Sequence, residues 1–103
     1  ILTKPRMEID VIGKKLNVEI LIDCKHWKKM NESVLNDIVN KQVNRVKRYV
    51  NDIGQIMAVP AIVTLHQEQI TFINKVPIIP ITQLSSFLDE LYGNLDQINT
   101  IEK

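Results

Sequence analysis

The segment EIDVIGKKLNVEILIDCK, Glu8–Lys25, decides the fold of this chain. It divides into an acidic extended stretch, a tight turn within Gly13 to Asn17, and a strand ending Asp23-Cys24-Lys25. Side chains two positions apart on a strand share a face, so Asp23 and Lys25 project together while Ile22 and Cys24 enter the opposite layer. If the two stretches pair as an antiparallel hairpin, any register whose partner numbers add to an odd value puts Asp10 on the Asp23 face. Two carboxylates and one ammonium then converge on one surface.

That set of groups suits phosphodiester chemistry. Mg²⁺ takes hard oxygen ligands, commonly one or two protein carboxylates, with water and substrate phosphate completing the shell. Asp10 and Asp23 are therefore the candidate metal ligands, for Mg²⁺ or Mn²⁺. Lys25 is the candidate for orienting the attacking water or offsetting charge that develops on the phosphate. The competing reading is an exposed charge pair of little energetic value. The flanking residues weigh against it, because Glu19 to Cys24 is apolar enough for a central strand, where charges are seldom placed without a use.

Asp10, followed by Asp23-x-Lys25 at the end of the next apolar strand, resembles the PD-(D/E)XK nuclease superfamily. EIDVI followed by ILIDCKHWKK is most similar to its restriction-endonuclease-like branch, which includes modified-DNA restriction enzymes and archaeal Holliday-junction resolvases. The D-x-K triplet alone has little specificity. Context supplies it: strands before the triplet, an amphipathic helix after it, then two more strands and a helix, so that the resemblance spans nearly the whole chain. It implies a mixed central sheet flanked by helices and a metal-dependent DNA endonuclease, with Asp10, Asp23 and Lys25 in the site.

One departure from the family pattern concerns the start. Such enzymes usually have a helix before the first acidic strand, and only Ile1 to Met7 precede Glu8 here. Glu8 would share the Asp10 face by alternation and is a weaker acidic candidate. A missing helix would leave sheet surface uncovered, which raises the expectation of a homodimer and of weak turnover.

The chain has 103 residues, 45% of them hydrophobic, which matches a single domain, residues 1–103, with one core. Cys24 is the one cysteine and cannot form an internal disulfide. The longest apolar run, Ile56 to Leu65, includes Pro60 and is too short to span a bilayer, so the expectation is a cytoplasmic protein without membrane contact. Net charge is +1, so attraction to nucleic acid has to come from local clusters of cations.

Such a cluster lies on the next element. From Glu32 to about Asn51, Leu35, Ile38, Val39, Val43, Val46, Tyr49 and Val50 recur at helical spacing, with Asn31 or Ser33 as the cap. Lys41, Arg45 and Arg48 fall on one flank of that stripe, and with Lys28 and Lys29 they form a candidate ridge for the DNA backbone. The alternative is an ordinary solvated helix face. Gln42 projects into the apolar stripe, where an unpartnered amide costs about 1–3 kcal/mol, so a partner is required. In several branches of the resembled superfamily a glutamine or lysine on this helix reaches the site, which makes Gln42 the fourth catalytic candidate. A core glutamine bonded to backbone or to Tyr49 is the equal alternative.

The remainder reads as scaffold. Ala58 to Leu65 is a buried strand, Glu68 to Ile73 another, Pro77 and Pro80 bracket an extended run, and Ser85 to Leu95 is a final helix with Phe87, Leu88, Leu91 and Tyr92 inward. His66 is more simply structural than functional, and Trp27 more simply packing than base stacking. The leading reading is thus an α/β endonuclease. The alternative is a nuclease-fold nucleic-acid-binding or assembly module with little or no turnover.

Overall fold

The apolar stretch that ends in Asp23 forms an eight-residue strand, Val18–Lys25, inside a mixed sheet. The computed structural model describes residues 2–3, 7–8, 11–15, 18–25, 31–54, 56–65 and 69–102. In chain order, β1 (Leu2–Thr3) and β2 (Met7–Glu8) pair as a separate two-stranded ribbon. β3 (Val11–Lys15) and β4 (Val18–Lys25) form an antiparallel hairpin, and α1 (Glu32–Ile53) crosses from β4 to β5 (Met57–Thr64). β6 (Thr71–Ile73) and β7 (Val76–Pro80) form a second hairpin. A 3₁₀ turn, α2 (Leu84–Glu90) and a 3₁₀ segment, Leu91–Gln97, lead to β8 (Ile101–Glu102). The sheet order is β3-β4-β5-β7-β6, with β8 antiparallel to the start of β5. β4, β5 and β7 are parallel, and the class is the expected α/β with a mixed sheet flanked by helices.

Helices cover both faces of the parallel strands, which is why β4 and β5 are nearly continuous apolar runs rather than alternating ones. Ile20 and Ile22 pack with Val59, Ala61, Val63, Ile79 and Leu91 beneath α2 and the 3₁₀ segment. On the other face Leu21 and Ala58 meet Val46 and Val50 of α1, and Ile62, Val76 and Ile78 meet its Ile38 and Val39. Each fully buried valine, leucine or isoleucine among them stabilises the fold by about 1.5–3 kcal/mol.

Local chemistry sets the ends of α1. The Asn31 side chain accepts a hydrogen bond from the Val34 amide at 2.8 Å, which selects Asn31 over Ser33 as the cap. At the other end Gly54 adopts φ 70° and its amide reaches the Val50 carbonyl at 2.7 Å, a conformation that favours glycine.

Several boundaries differ from the sequence reading. β5 starts and stops one residue earlier, at Met57 and Thr64, leaving Leu65 exposed. Pro60 is tolerated inside it because β8 pairs with Met57 and Ala58 and β7 with Ile62 to Thr64, so from Val59 to Ala61 the ladder on that side is interrupted. The Pro77–Pro80 run starts at Val76 and forms the buried strand β7. The strand read from Glu68 to Ile73 begins at Thr71 and joins the central sheet by pairing with β7, through a two-residue turn in which Asn74 and Lys75 have φ of 52° and 64°. The final helix divides into α2, which begins one residue earlier than expected at Leu84 and ends at Glu90, and the 3₁₀ segment Leu91–Gln97, within which Asn94 leaves helical geometry. Phe87, Leu88 and Leu91 face inward as expected, and the Tyr92 side chain is outside the described set.

Candidate functional site

Alternation along β4 turns Glu19, Leu21, Asp23 and Lys25 toward α1. Four polar residues are buried among those described, namely Glu19, Asp23, Gln42 and Thr64, and all belong to this layer between sheet and helix. Near its middle, Gln42 Nε2 donates to the Leu21 carbonyl at 2.8 Å, which answers the need for a partner and ties α1 to β4 two residues before Asp23. The Gln42 Oε1 atom is buried with no hydrogen-bond partner among the described residues.

At one end of the layer, Tyr49 donates its hydroxyl hydrogen bond to Glu19 Oε1 at 2.7 Å. Burial, followed by the bond and the charge of Glu19, pushes the Tyr49 phenol up from 10.0 to about 12. At the other end, Asp23 is 7% exposed and meets two cations. Lys25 Nζ lies 3.2 Å from Asp23 Oδ2, and Arg45 Nη1 lies 3.5 Å from the same oxygen. One carboxylate thus faces two positive charges.

This end is where the parallel strands stop together, since Lys25 pairs with Thr64 and Thr64 with Pro80. Open α/β sheets hold ligands outside the carboxyl ends of their strands, because there side chains from several strands converge without a following turn of sheet to cover them. Chemically, the cluster offers a carboxylate as a hard oxygen donor, two cations for an anionic group, and a buried hydroxyl on the neighbouring strand.

The candidates from the sequence are distributed as follows. Asp23 and Lys25 come together as expected, and Gln42 reaches the site strand. Arg45 turns toward Asp23 instead of standing in the outer ridge, where Lys41 and Arg48 are exposed. Asp10, Lys28 and Lys29, together with His26, Trp27 and His66, lie outside the described residues. The β3–β4 register runs from Val11 opposite Ile22 to Lys15 opposite Val18, with partner numbers adding to an odd value throughout. Glu8 belongs to the separate β1–β2 ribbon and not to the β3–β4 hairpin, because the pairing of Leu2 with Glu8 takes that backbone into another sheet. Three features are not in the sequence reading: the Arg45–Asp23 pair, the Tyr49–Glu19 bond and the buried Thr64. The polar end of an otherwise apolar run, Thr64, is the one sequence signal that pointed to any of them.

Among the described residues, no group of three or more His, Cys, Asp or Glu side chains is placed to hold a metal ion, and no helix is long and apolar enough to cross a membrane. Comparisons of the chain with protein-family models, curated proteins and solved structures give no match.

Proposed function

We propose that this chain is a metal-dependent endodeoxyribonuclease of the restriction-endonuclease-like type, hydrolysing phosphodiester bonds of DNA. The observation that supports it is the placement of Asp23 and Lys25, paired at 3.2 Å, on the buried face of a central strand and at its carboxyl end. A buried carboxylate at a strand end is costly to keep without a use.

Asp23 supplies one hard oxygen donor to a divalent cation, and Asp10, which lies outside the described residues, is the second carboxylate that the resemblance implies. One or two carboxylates with water and phosphate are what Mg²⁺ requires, so these residues fit the ion. When bound, the ion would polarise the phosphoryl oxygen and acidify a water. Lys25 would hold that water or offset charge on the phosphate, and Gln42 would keep the backbone of β4 in place through its bond to Leu21. Lys28, Lys29, Lys41 and Arg48 would follow the DNA backbone, and Arg45 would act from beside Asp23.

A second reading is favoured by the two cations beside Asp23, which can meet a phosphate without any chemistry. It is a nucleic-acid-binding module that does not turn over. Nicking of supercoiled plasmid by the purified chain, with Mg²⁺ or Mn²⁺ and with chelator, separates the two. Metal-dependent nicking is the expected outcome, whereas retained duplex binding without nicking selects the module.

A further inference from the structure

Thr64 closes β5 with its side chain 1% exposed, and among the described residues its hydroxyl has no hydrogen-bond partner. Leaving such a group unpaired is a net cost to folding, and an apolar side chain of similar size would avoid it. Position explains its presence better than packing does. Ala58 and Ile62 pack against α1, so alternation turns Thr64 to the same side, and the register sets it directly across from Lys25. Adjacent strands lie about 4.8 Å apart, which puts the hydroxyl beside the Lys25–Asp23–Arg45 cluster at the flush end of the three parallel strands.

We infer that Thr64 is a substrate-binding residue of this site, donating its hydroxyl hydrogen bond to a non-bridging oxygen of the phosphate whose charge Lys25 and Arg45 offset. The ligand class is a phosphate oxyanion: a neutral donor beside two cations suits an acceptor with several oxygens. That the phosphate belongs to DNA rests on the nuclease reading; the oxyanion seat itself does not.

The test compares Thr64→Val and Thr64→Ser with the parent. The valine variant should melt at or above the parent temperature, because an unpaired buried hydroxyl is gone, while kcat/KM for plasmid nicking falls roughly 10- to 100-fold. Serine should restore kcat/KM to within about threefold, since it keeps the donor. Parental kcat/KM in the valine variant, or loss in both variants together with lowered melting temperatures, overturns the assignment and leaves the nuclease reading intact. If the parent itself does not nick DNA, the nuclease reading fails and inorganic phosphate in chelator becomes the probe. Thermal stabilisation of the parent by phosphate that the valine variant lacks then supports Thr64 as an oxyanion ligand, and equal responses, including none, overturn it.

Discussion

Glu19 and Asp23 stand on the same face of the same strand, both buried, yet they are held in different ways. Glu19 is met by a neutral phenol from near the carboxyl end of a long helix, in a single bond between two rigid elements. Asp23 is met by two long cationic side chains that remain 26% and 32% exposed at the end of the sheet. The first arrangement is closed: any new ligand would have to break the Tyr49 bond and unpack the layer. The second is open, because flexible stems can withdraw or turn toward a ligand without disturbing the core. Burial of a carboxylate does not by itself mark a site; its place at the strand end and the kind of partner it has complete the distinction.

The largest expected effect separates the two carboxylate ends by activity. Lys25→Ala should lower kcat for nicking about 10²- to 10³-fold while DNA affinity stays within a few-fold, as for loss of a group that acts on charge developing in the transition state. Glu19→Gln should leave kcat within about threefold. Equal losses in steady-state assays of the two variants would erase the distinction between closed and open ends, and full activity in Lys25→Ala would remove that residue from the chemistry.

A smaller effect should appear as stability at the closed end. Tyr49→Phe leaves Glu19 buried without its donor and should destabilise the fold by about 1–3 kcal/mol in urea unfolding, with nicking unaffected. The same variant has a pH signature. Tyr49 is raised in the fold from 10.0 to about 12, so above pH 10 the unfolded chain releases a proton that the folded chain retains. Its contribution is fully present below pH 10 and is lost as pH rises through 12. The stability difference between parent and Tyr49→Phe should shrink over that window, and a constant difference would show that the phenol does not titrate as a buried, bonded group.

The smallest effect concerns the helix face beyond the open end. Lys41 and Arg48 are exposed, whereas Arg45 is engaged by Asp23. Replacing Lys41 and Arg48 with Gln should flatten the slope of log K against log salt by roughly 0.9 for each duplex phosphate that the helix no longer neutralises. An unchanged slope in titrations at several salt concentrations would leave the open end without the helix as its extension.

What the sequence by itself determined follows from two short periods. A strand repeats every two residues, so Asp23 and Lys25 had to share a face and Ile22 and Cys24 the other, whatever they packed against. A helix repeats every 3.6, so Gln42 was legible as a position inside the apolar stripe with Leu35, Val46 and Tyr49, and the cap as Asn31 or Ser33. Tertiary structure alone decided which partners those side chains found. Gln42 went to the Leu21 carbonyl rather than to Tyr49, Tyr49 to Glu19, and Arg45 left the outer ridge for Asp23. Thr64 became part of the site layer only because the β4–β5 register set it opposite Lys25. The division has a physical cause: facing is a local property of backbone geometry, but partnership depends on how the helix lies over the sheet and on strand register, and both are set by the packing of residues distant in the chain.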